Sequence, residues 1–305
     1  MIPVEKVHEL TVASSKEDDR PPHISAASGL VRHGGYIFIV ADDELSLLVV
    51  DEKELGPGEF MPILEGELPT DQSERKKVKA DLESIALLPP TDELPHGCLL
   101  AVGSGSSDKR NRGALIPLSA DGHPTNDHRT VDLKPLFDEL KNEVKGLNVE
   151  GAEVVDRTLW LMQRGNEGGD NALINLSLDR TFEALMNDGV VPADALRNVD
   201  HVDLGQLQGV RLCFSDASAV PDGRIVFAAS TEDSDSALND GMTYGSAVGI
   251  IERDGSLGAV EPLDLIVKVE GIDARVTDGG IEVLMVTDAD DPETPSPLLR
   301  AILPN

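Results

Sequence analysis

Val149-Glu150-Gly151-Ala152-Glu153 is the stretch that decides the fold, because versions of it occur at five places in the chain. The others are Ala27-Ser28-Gly29-Leu30-Val31, Leu82-Glu83-Ser84-Ile85-Ala86, Ser215-Asp216-Ala217-Ser218-Ala219 and Val269-Glu270-Gly271-Ile272-Asp273. Each is followed by a short apolar run of strand-like composition, at 36–41, 98–102, 158–162, 224–229 and 281–286. A polar loop and a second such run come next, at 45–50, 114–118, 172–178, 247–251 and 298–303. A weaker run closes four of the units, at 60–64, 130–133, 199–204 and 259–265. Repetition on this scale is the mark of a propeller or solenoid. The motif spacings of 55, 67, 66 and 54 residues exceed the roughly 40–45 that four strands with short turns require. Loops take up part of the surplus, and two segments of helical periodicity, 136–141 and 181–186, take up more and are expected to cap blade edges.

The fifth unit has no closing run, whereas residues 4–12 precede the first motif and belong to no earlier repeat. Pairing these two pieces completes the last blade and removes an exposed sheet edge. The expected fold is therefore all-β: a five-bladed β-propeller with four-stranded blades, one domain over 1–305, its last blade closed by the N-terminal strand. Six blades would require a degenerate sixth repeat, and no linker interrupts the pattern to suggest two domains.

The chain of 305 residues is 40% hydrophobic, ample for a large core. It has no 18-residue apolar run and no apolar segment after Met1 that reads as a signal, so a cytoplasmic protein is expected. Cys98 and Cys213 lie in apolar runs and read as two buried thiols. The net charge of −30, from 56 acidic and 26 basic residues, excludes nucleic acid and anionic membranes as partners of the surface as a whole.

In a closed ring the motifs converge at the start of the innermost strands. The channel positions are then Ser28, Glu83, Glu150, Asp216 and Glu270, four of them carboxylates. Two charges about 6 Å apart at an effective dielectric near 20 repel by roughly 3 kcal/mol. Six such pairs amount to about 15 kcal/mol, the size of a whole domain's stability. Either protons are shared or a cation sits among them. A set of hard oxygen ligands suits Ca²⁺, with Mg²⁺ as the alternative. The loops on the same face carry Lys109, Arg110, Arg112, Arg164 and Asn166, candidates for holding a small anionic ligand. Asp42, in the acidic loop Asp42-Asp43-Glu44, is the candidate for positioning water. Gly165-Asn166-Glu167-Gly168-Gly169-Asp170 opens no helix and is no dinucleotide fingerprint, and Ser104-Gly105-Ser106-Ser107 is no nucleophile elbow.

Ala27-Ser28-Gly29-Leu30-Val31 with Asp42-Asp43 downstream, Phe214-Ser215-Asp216 leading into Val220-Pro221, and Lys268-Val269-Glu270-Gly271-Ile272 resemble the calcium-activated nucleotidase (apyrase) family. The Glu-Gly-Ile/Ala pattern also resembles phytase-like and esterase-like bacterial propellers. The apyrase resemblance implies five blades around a Ca²⁺ held by Glu and Ser side chains, and hence metal roles for Ser28, Glu83, Glu150, Asp216 and Glu270. Asp216 stands where that family has Ser, and Glu44 where it has a basic residue. The leading expectation is a metal-centred propeller that binds, and hydrolyses, a small phosphorylated or otherwise anionic ligand. The alternatives are a scaffold with a structural central cation and a glycosidase-like hydrolase using paired carboxylates.

Overall fold

The computed structural model describes residues 1–13, 21–165, 168–231, 243–288 and 291–304. Strand β1 (Val4–Glu9) precedes the first blade. That blade is β2 (Ala27–His33), β3 (Tyr36–Ala41), β4 (Ser46–Asp51) and β5 (Glu59–Pro62). A short helix, α1 (Gln72–Val78), leads into the second: β6 (Leu82–Leu88), β7 (Cys98–Gly103), β8 (Arg112–Pro117) and β9 (Arg129–Asp132). Helix α2 (Lys134–Glu143) connects to β10 (Val149–Val155), β11 (Thr158–Gln163) and β12 (Asn171–Ser177). The third blade inserts α3 (Leu178–Asp188) before its outer strand β13 (Leu196–Val202). In the fourth, a hairpin of β14 (Gln206–Leu207) extends the long inner strand β15 (Val210–Ala219), followed by β16 (Ile225–Thr231), β17 (Ser246–Ile251) and β18 (Leu257–Pro262). The fifth contains β19 (Val269–Thr277), β20 (Gly280–Thr287) and β21 (Pro297–Leu303).

Among the described residues these strands form five antiparallel sheets, and the fifth runs β1-β21-β20-β19. The N-terminal strand therefore closes the ring as expected, with Val4 opposite Ala301 and Glu9 opposite Pro297. The innermost strands β2, β6, β10, β15 and β19 neighbour one another around the channel.

Five apolar layers hold the ring, one at each seam between blades. Val31, Phe38 and Leu47 meet Ile85 and Leu99 between the first and second blades. Met162 and Leu173 meet Phe214 and Phe227 between the third and fourth. The strands alternate side chains between their two faces, so each β strand feeds both of its seams. Helices α2 and α3 do more than cap. Leu136, Phe137, Leu140, Leu178 and Leu185 join the layer between the second and third blades. The chain leaving α3 bridges from Val190 to Asp132 and so covers one end of the β9 edge.

Cys98 and Cys213 form no disulfide; burial pushes the Cys98 thiol up to about 12, whereas Cys213 is only half-buried, a correction to the expectation of two buried thiols. Its Sγ donates to the Gly165 carbonyl, on the rim of the channel. Among the described residues no helix is long and apolar enough to cross a membrane.

Candidate functional site at the hub

Every inner strand carries a β-bulge near its start, where its pairing with the second strand slips by one residue. The bulged residues are Ser28, Glu83, Glu150, Ser215 and Glu270. A bulge turns one extra side chain out of the ladder and is a common device beside functional sites. The next residue is glycine in three blades. A Cβ on Gly271 would lie 2.5 Å from the Ser28 carbonyl, and one on Gly29 3.0 Å from the backbone of Ser84 and Ile85. The small residue therefore lets adjacent inner strands approach and fixes the ring's narrow bore.

The same registers define two further sets around the channel mouth. The residue that follows the pre-bulge residue's partner on each second strand is Asp42, Ser104, Arg164, Ser230 or Asp288. The residue two before each bulge is Ala26, Asp81, Asn148, Cys213 or Lys268. Charge is thus concentrated on the second, third and fifth blades with Asp42 of the first, and the fourth blade contributes a neutral corner in which Ser215 and Ser230 Oγ lie 2.7 Å apart.

Five hub carboxylates are interleaved with four cations. Lys79 Nζ pairs with Asp42 and lies 2.9 Å from Asp81. Arg110 reaches Asp81 at 2.8 Å and donates to Ser106 at 2.8 Å, while Ser104 donates to the same Asp81 carboxylate. On the opposite side, Arg164 stands 3.5 Å from both Glu150 and Glu270. Lys268 is 2.9 Å from Glu270, and Asn148 donates to Glu150. The repulsion expected of bare acids is therefore met by side-chain cations and protons. Burial, then the charges of Asp81, Glu150 and Asp42, holds Glu83 well above the ordinary carboxylate range, against the pull of Lys79. Burial pushes Glu150 up to about 8 despite Arg164, and Asp42 up to about 6 despite Lys79. Asp81 has a left-handed backbone, φ 57°, unusual for a residue other than glycine and common where a site dictates geometry.

Asp42, Asp81 and Glu83 each offer a carboxylate oxygen, all within 4.8 Å of one another. Two oxygens on opposite sides of a Ca²⁺ at about 2.4 Å are about 4.8 Å apart, so the span of this donor set is compatible with that ion. Asp81 is 3% exposed at its side chain and Asp42 20%, which places the triad at the mouth and not at its bottom.

The sequence-derived residues divide into three groups. Glu83 joins Asp42 in the triad, and Glu150 and Glu270 share Arg164 nearby. Arg110 sits beside the triad. Ser28 occupies the first blade's bulge and is buried. Asp216 is a correction: the fourth motif aligns one residue earlier than its spacing suggests, so that Phe214 matches Val149 and Val269, and Ser215 takes the bulge. Asp216 instead turns into the seam with the fifth blade and accepts the Ile272 N–H at 2.8 Å. Lys109 and Arg112 lie away from the hub, Lys109 donating to the Lys77 carbonyl at 3.1 Å and Arg112 reaching the Glu65 carbonyl at 3.5 Å. Asn166 lies outside the described residues. Residues that sequence reasoning missed are Asp81, Lys268 and Lys79. Their signal was positional, two residues before a bulge or, for Lys79, four.

A protein-family model matches residues 23–303, which takes in all five inner strands and every hub residue above. The chain belongs to DUF6929, a family of unknown function. No curated protein matches the DUF6929 chain. Among solved structures it is similar to MPT-4, a mannose phosphorylase from Leishmania mexicana in complex with phosphate, at 11% identity and TM-score 0.49, over 98% of this chain and 89% of that one. It is similar to the PQQ-bound aldose sugar dehydrogenase of Streptomyces coelicolor at 15% identity and TM-score 0.47, over 98% and 97%. It is also similar to the hydrazine synthase of Kuenenia stuttgartiensis at 12% identity and TM-score 0.40, where it covers 90% of its own length and spans 59% of that chain.

Proposed function

We propose that the hub binds a divalent cation, Ca²⁺ in preference to Mg²⁺, on Asp42, Asp81 and Glu83, and presents it to a small anionic ligand at the open face. The observation that carries this reading is the triad itself: three hard oxygen donors from two blades already within a Ca²⁺ coordination diameter. Mg²⁺, with bonds near 2.0–2.1 Å and strict octahedral geometry, is less suited to a carboxylate set drawn from two blades. Arg110 stands where it would meet the charge of a ligand drawn to the cation, and Arg164 and Lys268 flank the other side. When bound, the ion would supply Lewis acidity toward a phosphoryl oxygen or a water, which makes phosphoanhydrides and phosphate esters the first substrates to examine.

The test is calorimetric titration of EDTA-stripped protein with CaCl₂ and MgCl₂, paired with thermal shifts. One Ca²⁺ per chain is expected, with a rise in Tm that Asp81→Asn and Glu83→Gln remove. No heat and no shift at millimolar Ca²⁺ overturns the reading. Phosphate release with Ca²⁺, abolished by EDTA, then separates a hydrolase from a binding protein. A second reading, a non-catalytic scaffold whose cation is structural, draws on the Glu150–Arg164–Glu270–Lys268 side of the hub, where carboxylates are neutralised internally; it expects stabilisation by the cation without turnover.

A further inference from the structure

We infer that Lys79 is a tethered counter-ion of the hub, standing in for the divalent cation and yielding to it. The inference rests on the cation-site reading above and concerns how that site is regulated. Lys79 Nζ contacts two of the three triad carboxylates, Asp42 and Asp81, and its charge is felt by the third, Glu83. Its side chain is 9% exposed, so the ammonium is held inside the cluster and not above it. An ammonium and a divalent cation cannot share this space: both need the same carboxylate oxygens, and like charges a few ångströms apart repel.

The backbone around Lys79 suits an exchange. Lys79 is the C-cap of α1, its N–H bonded to the Arg75 carbonyl at 2.9 Å. Arg75 anchors the helix to the first blade through the Asp43 carbonyl at 2.8 Å and Glu44 at 3.4 Å. Asp81 follows two residues later and β6 begins at Leu82. Both flanks of Lys79 are thus fixed, and only its four-carbon stem need swing. That stem is flexible and its ammonium is a point charge with no planar fork to hold it in register. Arg110, bound to Asp81 and to Ser106, contacts one triad carboxylate where Lys79 contacts two, so it is the lysine that a cation displaces first. Metal-free protein is then stable and compact, and the price of that stability is a lower affinity for the ion.

The experiment compares wild type, Lys79→Met and Lys79→Arg, all EDTA-stripped, by calorimetric titration with Ca²⁺ and by Tm in EDTA. Lys79→Met is expected to bind Ca²⁺ at least ten-fold more tightly than wild type and to lose several degrees of Tm in EDTA that Ca²⁺ restores. Lys79→Arg is expected to remain near wild type in EDTA. Equal Ca²⁺ affinity in wild type and Lys79→Met overturns the inference and leaves the cation site standing. Silence in both overturns the two together, while binding by Lys79→Met alone overturns the inference that the lysine yields to the ion in the wild-type protein. A measurement on unmutated protein covers the case of a variant that does not fold. Lysine acetylation read by peptide mass spectrometry should rise at Lys79 when Ca²⁺ is added, with Lys76 and Lys109 unchanged; a Lys79 signal indifferent to Ca²⁺ overturns the inference.

Discussion

The channel keeps buried acids in two places and by two means. At the mouth, Asp42, Asp81, Glu83, Glu150 and Glu270 are balanced by Lys79, Arg110, Arg164 and Lys268. One turn of the pleat further down, the partners are backbone N–H groups of the next blade. Glu153 accepts from Ala219 at 2.9 Å, Ser218 from Ala274 at 2.9 Å and Asp273 from Arg32 at 2.8 Å, always from the same motif position to the one after it in the neighbouring blade. Asp216 adds a fourth stitch to Ile272. The remaining two seams have Val31 and Ala86 at that position, inside apolar layers. Side-chain cations can be exchanged for another ion, whereas an amide of the main chain cannot leave. The mouth is accordingly the place for ligand chemistry and the lower tier the place where blades are fastened.

Cutting the lower tier at its most charged stitch should have the largest effect. Asp273 also holds the Arg32 guanidinium at 2.6 Å, and Arg32 is 4% exposed at its side chain. Arginine cannot shed its proton, so Asp273→Ala removes the carboxylate that serves both the guanidinium and the Arg32 N–H, leaving Glu282 at 2.6 Å and Glu52 at 3.8 Å. A loss of about 3–5 kcal/mol is expected in chemical denaturation. The mirror experiment at the mouth, Arg164→Met, should cost less, about 2–3 kcal/mol near pH 8, because Glu150, which burial raises to about 8, can take up a proton. That deficit should shrink toward pH 5. A deficit independent of pH would mean that Glu150 is not coupled to Arg164.

A smaller effect distinguishes the tiers by titration. Burial raises Glu153 from its ordinary 4.5 to about 7, against the pull of the Ala219 and Val154 N–H groups. The folded protein thus holds a proton that the unfolded chain has released. Glu153 contributes its full stability below about pH 4.5 and loses it as pH rises toward 7. Since the side chain is half-buried, the change is about 1–2 kcal/mol, visible as the difference between wild-type and Glu153→Gln Tm profiles over that range. Parallel profiles would remove Glu153 from the account. The smallest effect, about 1 kcal/mol, is expected for Ser218→Ala, which gives up one neutral hydrogen bond; a loss as large as that of Asp273→Ala would erase the distinction between charged and neutral stitches.

Much of this architecture was legible in the sequence because repetition samples the same geometry five times. The apolar runs marked the strands, and the orphan segment at 4–12 marked the closure. The fourth motif was misaligned for a physical reason. Both Ser215 and Asp216 are polar, and the signal that separates them is the apolar residue before the bulge, Phe214, which resembles Val149 and Val269 only once the bulge is known. Helix α1 lies between the repeats and its start is marked by Asp71, whose side chain accepts from Glu74 N at 2.9 Å. The counter-ions were harder to see. Lys79 and Lys268 lie outside the repeated motif, and opposite charges meet across blades that sequence order keeps apart. Glu153 and Asp273 stood within the quoted motifs, yet a stitch to a neighbour's amide leaves no mark in composition or spacing.

The pairing of β1 with β21 has a consequence for biosynthesis. The strand made first must wait for the strand made last, almost three hundred residues later. At roughly 5–20 residues per second, a ribosome leaves β1 without its partner for at least about 15 seconds. The opening stretch Val4-Glu5-Lys6-Val7-His8-Glu9 is fitted to that delay, since Glu5, Lys6 and Glu9 keep a solitary strand from sticking to others before its own arrives.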